Sequence, residues 1–423
     1  MKNFLSKLKL VLKDSVVRRR IFFTIGALVF FRFLSAIPVP GVDALSLQKF
    51  LSGNQLFGLL DIFSGGGISN LSIVMLGVGP YITASIIIQV MSMVFPSIKN
   101  LLHEEGEAGR RKLSQYSRML SVVLAVLQSI GFVTLLQSQN IIPHLGALDF
   151  AANAIIIAAG SILLMWIGEL VSEFGIGNGV SLIIFAGIIA VLPTKLYQLA
   201  VGFQQADIAF YALFLAIAIV VIGVVVAVTE AERPIPVHYA KQVRGNKVYG
   251  GASTYLPLRL NMAGVIPIIF ALSILLIPQI GLKFLAQVSN PTVQDIANTL
   301  SGILANQWAY AGMYFALVCI FTYFYTAITF DPVRISENLQ QGGAFVPGVR
   351  PGEATAQYLG KIVTRITFVG ALFLAVVAVL PLLMQAFTGN TSLAIGGTAL
   401  LIVVSVVLDL VKRVDAQASM REY

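Results

Sequence analysis

Ten apolar stretches recur along this chain, and nine of them contain no charged side chain. They run over residues 21–37, 71–95, 119–136, 151–168, 180–192, 208–228, 262–280, 308–330, 366–384 and 391–408. A helix rising about 1.5 Å per residue needs about 20 apolar residues to cross roughly 30 Å of hydrocarbon. The pattern therefore predicts an all-α polytopic membrane protein with ten transmembrane helices. Composition points the same way, since 57% of the residues are hydrophobic, only 11% are charged and the mean hydropathy is +0.88. Such a chain has too little polar surface to cover itself in water. Two stretches strain the scheme. The one at 180–192 would rise only about 20 Å and needs the uncharged residues 174–179 or a place inside the bundle. The first contains Arg32, which has to snorkel or face a polar interior.

The basic residues set the orientation. Of 28 Lys and Arg, 24 fall in the N-terminal 20 residues, in 95–119, 229–261 and 331–366, and in the tail after 408. The opposite loops hold only Lys49, Lys195 and Lys283. This bias predicts that both termini are cytoplasmic and supports an even number of spans. Ten spans divide into five and five, so the second half starts on the other side and any structural repeat is inverted. The expected layout is a basic amphipathic surface helix at 1–20, an N-terminal half at 21–193, a C-terminal half at 207–411 and a tail at 412–423. No residue-level repeat is visible. The single cysteine, Cys319, lies within a span and reads as core packing.

Catalytic and cofactor signatures are missing. No nucleotide-binding G-x-x-x-x-G-K-[ST] loop occurs, and His103-Glu104-Glu105 lacks the second histidine of a zinc motif. The three histidines, His103, His144 and His238, lie outside the spans, and mid-span charges are few. We therefore expect no catalytic residue, metal or cofactor, and energy supplied by a partner. Three classes remain: a channel, an inverted-repeat solute carrier and a polytopic membrane enzyme. The extended basic loops favour a channel that docks something large.

Long motifs spread along the chain carry a family resemblance. Gly77-Val78-Gly79-Pro80-Tyr81-Ile82-Thr83-Ala84-Ser85 and Gly106-Glu107-Ala108-Gly109-Arg110-Arg111 come first. Trp166-Ile167-Gly168-Glu169 and Gly175-Ile176-Gly177-Asn178-Gly179 follow. Tyr255-Leu256-Pro257-Leu258 with Asn261-Met262-Ala263-Gly264, and Gly342-Gly343-Ala344-Phe345-Val346-Pro347-Gly348-Val349-Arg350-Pro351, complete the set. In this order the chain resembles the SecY family of protein-conducting channels. The resemblance implies two pseudo-symmetric inverted halves of five helices that pass unfolded polypeptides across the membrane and release membrane helices sideways into lipid. It implies SecE and SecG as membrane subunits, the ATPase SecA or a translating ribosome as driver, and signal sequences as ligands. Valine at Val78 and Val180, where isoleucine is common, and a short C-terminal tail depart slightly from the family pattern.

Four groups of residues follow. The loop at 230–259 places Arg233, Lys241, Arg244, Lys247 and Arg259 among turn-forming prolines and glycines, which reads as a basic hairpin suited to phosphates or an acidic surface. Plain positive-inside topology would produce basic loops too. The resemblance makes this loop and 331–365, with Arg350, the motor and ribosome docking sites. Residues 56–67 form an apolar run too short to span, closed by three glycines, and read as a re-entrant half-helix or as a surface loop. The resemblance makes Leu59, Leu60, Asp61, Ile62, Phe63, Ser64, Gly65 and Gly66 a plug. Val78 and Ile82, like Val180 and Ile184, share a helix face at four-residue spacing. The resemblance adds Ile269 and Ile402 and makes the six an apolar pore ring. Thr83, Gln128 and Asn261 are polar groups in spans 2, 3 and 7, where contacts across helices contribute about 0.6 to 2 kcal/mol each. They read as helix-packing contacts or, by resemblance, as the lateral gate.

Overall fold

The computed structural model describes residues 14–40, 64, 66–68, 70–95, 98, 106–138, 142, 146–201, 208–240, 242–244, 247–249, 253–285, 291–388 and 396–419. Most of the surface helix expected at 1–20 lies outside them. Helix α1 (Ser15–Ser35) starts ahead of its apolar stretch because the Asp14 side chain accepts the Val16 N–H at 2.9 Å and caps it. It therefore takes in Arg18, Arg19 and Arg20. Helices α2 (Gly79–Val94), α3 (Gly106–Ser138), α4 (Ala147–Phe174), α5 (Gly179–Val201) and α6 (Ile208–Glu230) follow.

Two expectations about these spans need correction. The stretch at 71–95 is helical only from Gly79, because residues 71–78 form consecutive turns with Leu71 and Gly77 at positive φ (42° and 58°). The 16 residues of α2 rise only about 24 Å, short of the roughly 30 Å of hydrocarbon. Irregular backbone is tolerated within a membrane where protein buries it. Leu71, Val74, Met75 and Val78 are all buried, and Leu71 and Met75 share a core with Phe132, Val133 and Leu136 of α3 and Ile157 of α4. Conversely, the stretch at 180–192 is not short. Its helix, α5, continues through Pro193 to Val201, and its 23 residues rise about 35 Å.

After α6 the chain leaves the helical pattern. Strand β1 (Glu232–Tyr239) pairs antiparallel with β4 (Ser253–Arg259) from Glu232↔Arg259 to His238↔Ser253. Between them β2 (Gln242–Arg244) and β3 (Lys247–Tyr249) form a separate hairpin. The later loop contributes β5 (Ala344–Phe345) to the other edge of β1, giving the order β4-β1-β5. Among the described residues these strands lie in the loops between helices, and the β1–β4 ladder falls within the 230–259 loop that the sequence marks as a hairpin.

The remaining helices are α7 (Ile266–Leu285), α8 (Pro291–Ala305), α9 (Gln307–Thr329), α10 (Pro332–Gln341), α11 (Glu353–Thr388) and α12 (Gly396–Ser419). The ten apolar stretches correspond to α1–α7, α9, α11 and α12, while α8 and α10 are additional. Among the described residues, four helical segments are long and apolar enough to cross a membrane by themselves: Arg111–Gln137, Ala147–Phe174, Gln307–Gln341 and Glu353–Leu383. The chain forms two compact units, residues 1–214 with 387–423 and residues 215–386. The tenth apolar helix, α12, thus groups with the first five and packs against α5.

Candidate pore-lining helix starts and docking platform

Three of the four helices that carry the ring residues begin just after a glycine at positive φ: Gly77 (58°) before α2, Gly177 (90°) before α5 and Gly264 (62°) before α7. Only glycine adopts such angles without strain. Each turn redirects the chain, so the aliphatic residues stand in the first turns. Val78 is the N-cap of α2, and Ile82 donates its N–H to the Val78 carbonyl at 3.1 Å, which places the two on one face. Val180 and Ile184 occupy the first turns of α5, and Ile269 the first turn of α7, with its N–H on the Val265 carbonyl. Helical Cα–Cβ bonds tilt towards the N-terminus, so these side chains lean back over the helix starts. Val78, Ile184 and Ile402 are buried; Ile82, Val180 and Ile269 are half-buried. Five of the six belong to the first unit and Ile269 to the second.

Helix α4 fixes where α2 and α5 begin. The Ser161 hydroxyl donates to the Gly77 carbonyl at 2.9 Å, holding the turn that leads to Val78. A Cβ on Gly160 would strike the Ile73 carbonyl, and one on Gly179 would strike the Gly168 carbonyl. One on Gly168 would lie 3.2 Å from Val180 Cγ2. The connection to α5 is tied at both ends: Gly179 N–H donates to Ser172 Oγ at 2.8 Å, and Ile176 N–H to Thr24 Oγ1 of α1 at 3.2 Å. Beyond it, Ile176 and Val17 pack with Ile21, Leu410 and Val414, which seats α12. Sequence reasoning did not single out this seat. The usable signal was small residues on one α4 face, which let helix backbones approach closely.

Of the plug residues, Leu59, Leu60, Asp61, Ile62, Phe63 and Gly65 lie outside the described residues. Ser64 is buried and its Oγ accepts the Ile68 N–H at 3.2 Å; Gly66 has φ 79°. Arg32 meets polar neighbours. Its Nη1 donates to Ser35 Oγ at 3.5 Å and would sit 3.8 Å from a Cβ on Gly66. Glu169, near the end of its span, is paired with Arg118 across α3 and α4 at 2.6 Å.

The gate residues divide between the units. The buried Thr83 hydroxyl donates to the Gly79 carbonyl of its own helix at 3.0 Å, and half-buried Gln128 lies on α3, which packs beside α2. In the second unit Asn261 is buried just before α7, and its Oδ1 has no hydrogen-bond partner among the described residues.

The docking candidates stand on a built platform. Arg259 lies opposite Glu232 in the β1–β4 ladder, with an exposed ion pair at 3.4 Å, and Arg233 lies opposite Leu258. Arg244 and Lys247 form the closing pair of the β2–β3 hairpin, while Lys241 lies outside the described residues. Arg350 is exposed between two positive-φ glycines, Gly348 (80°) and Gly352 (94°). Its carbonyl accepts the Thr355 hydroxyl at 2.7 Å, and Ser336 of α10 donates to the Gly352 carbonyl at 2.6 Å. Beneath them Ile235, Leu258, Val346, Leu359 and Ile362 form one core, so both loops and α11 make a single body.

Comparison with known proteins decides what these elements belong to. The SecY family model matches residues 72–411, and a protein translocase subunit SecY from Corynebacterium glutamicum is 40% identical over 97% of both chains. The chain belongs to the SecY family. A SecY relative from Escherichia coli is 42% identical, covering 96% of this chain and 93% of that one. Solved structures with the SecY fold include one described as a protein conducting channel, with TM-score 0.67 and 20% identity over 97% of this chain and 94% of that one. Another is Sec61 in a canine ribosome–channel complex from the endoplasmic reticulum, with TM-score 0.63 and 19% identity at the same coverage. SecY membership establishes a multi-pass membrane protein and sets aside the solute carrier and the enzyme.

Proposed function

We propose that this chain is the membrane-spanning subunit of a protein translocase, conducting unfolded polypeptides across the bacterial cytoplasmic membrane and releasing membrane helices laterally into lipid. The observation that carries this reading is the match to SecY translocase subunits along nearly the whole chain. The proposed mechanism rests on the residues that the family motifs single out. Val78, Ile82, Val180, Ile184, Ile269 and Ile402 form an apolar collar, which offers a passing chain no fixed partner and opposes ions by dewetting when narrow. Residues 59–66 plug it from outside. Thr83, Gln128 and Asn261 line the lateral gate, whose polar contacts are individually weak enough to open. Arg350 and the β1–β4 platform bear on a driver; the ribosome-bound relatives support a ribosome there, and SecA is the expected motor. SecE and SecG are the expected membrane partners. The spans form two inverted halves, 21–193 and 207–411, with both termini cytoplasmic.

The test is reconstitution of the chain with SecE, SecG and SecA in lipid vesicles, together with an unfolded precursor carrying a signal sequence. ATP should drive the precursor into a protease-protected compartment. Vesicles that move a labelled small solute but protect no precursor would overturn the reading.

A further inference from the structure

Helix α8 (Pro291–Ala305) was not expected from the apolar stretches, and its surface is divided in an informative way. Ile296, Leu300 and Ile303 repeat at i, i+4 and i+7, so they form one stripe, and all three are exposed, at 57%, 44% and 49%. Val293, Ala297 and Leu304 lie next to that stripe on the wheel. Ala297 is fully buried and the other two are half-buried, where α8 packs on α7 and α9. Gln294, Asn298 and Ser301 occupy the opposite side, exposed. The apolar arc is therefore wider than the protein covers, and the uncovered part is the richer in large branched side chains.

The position of α8 says what covers the rest. A single residue, Asn306, joins it to α9, and that corner is fixed: Asn306 N–H reaches the Gly302 and Ile303 carbonyls at 3.2 Å, while its side-chain oxygen accepts the Trp308 and Ala309 N–H groups at 3.0 and 3.4 Å. A membrane-crossing segment starts at Gln307, and Trp308, 60% exposed, is the residue type that anchors at the membrane–water boundary. The stripe thus continues directly from the lipid-facing end of a span. Asp295 is the only charged residue in the helix, so attraction to charged headgroups plays no part.

We infer that α8 is an interfacial helix lying along the outer membrane surface, with Ile296, Leu300 and Ile303 set into the boundary between headgroups and acyl chains of the lipid. The word outer rests on the proposed topology; lipid contact does not. It follows that the span pair α7 and α9 is held at its outer end by the bilayer surface as well as by protein packing.

Single-tryptophan quenching tests this. With Trp166→Phe and Trp308→Phe in the full chain, one tryptophan is introduced by Leu300→Trp, Ser301→Trp or Ile320→Trp, and each variant is placed in phosphatidylcholine vesicles brominated near the headgroup end of the acyl chains. Leu300→Trp should lose emission about twofold and shift to the blue, while Ser301→Trp should stay unquenched. Ile320→Trp, exposed within a span, reports whether the membrane reading itself holds. Quenching of Ile320→Trp with none at Leu300→Trp would overturn the inference and leave the channel reading intact: blue emission there would mean that protein covers the stripe, red emission that water does. No quenching at either would contradict the membrane placement.

Discussion

At the scale of single residues, the fold relies on side chains that are absent. Gly179 sits so close to α4 that a Cβ on it would strike the Gly168 carbonyl and displace the opposing backbone. Gly179→Ala should cost about 1–3 kcal/mol or more, read as a lower unfolding temperature in detergent, because overpacking forces backbone shifts. Ser161→Ala removes the donor to the buried Gly77 carbonyl and should cost about 1–3 kcal/mol in the same measurement. Arg350 makes the opposite case. It is exposed on a tip whose shape is fixed by backbone bonds, so its guanidinium is free of structural duty. Arg350→Glu should abolish motor-driven translocation while leaving the protein folded and membrane-inserted; undiminished translocation would remove its docking role. The sequence marked Arg350 through its Gly- and Pro-rich surroundings and the family motif. It did not mark Ser161 or Gly160, because small residues are common in apolar helices and only the partner backbone shows which ones matter.

At the scale of elements, the ten apolar stretches identified ten helices, yet their boundaries followed other rules. Residues 71–78 are as apolar as a helix but are turns, since Gly77 and the buried core above α3 and α4 decide their path. The apolar stretch ends at residue 192, yet α5 runs on past Pro193 and Lys195 to Val201. The joining of two distant loops through β5 was illegible for a different reason: a two-residue strand has no pattern of its own. The exposed Glu232–Arg259 pair on this sheet should contribute little, so Glu232→Gln should change stability by no more than about 1 kcal/mol. The platform's side of the membrane is testable directly. In a Cys319→Ser background, cysteines introduced at Lys247 and Gly348 should react with impermeant reagent only from the cytoplasmic side, and one at Asn54 only from outside. Labelling of the Gly348 position from outside would overturn the span count.

At the scale of the whole molecule, the chain belongs to a family of protein-conducting channels and carries out no covalent chemistry; in the proposed mechanism an apolar collar stays shut until a polypeptide fills it. The proposed ring rests on family motifs, because aliphatic pairs four residues apart occur throughout apolar helices. What the structure adds is the placement of Val78, Ile82, Val180, Ile184 and Ile269 near helix starts that follow positive-φ glycines, those of α2 and α5 seated by α4. The decisive measurement is planar-bilayer conductance of the chain with Ile82, Ile184 and Ile402 changed together to glycine. Loss of branched bulk should let the collar hydrate and ions leak, and deleting residues 60–65 as well should increase the leak. Glycine at Ile219 and Val220, exposed on α6, should leave the membrane tight. A ring variant that remains folded, inserted and as ion-tight as the parent would contradict the account, since these six residues would then be ordinary helix packing.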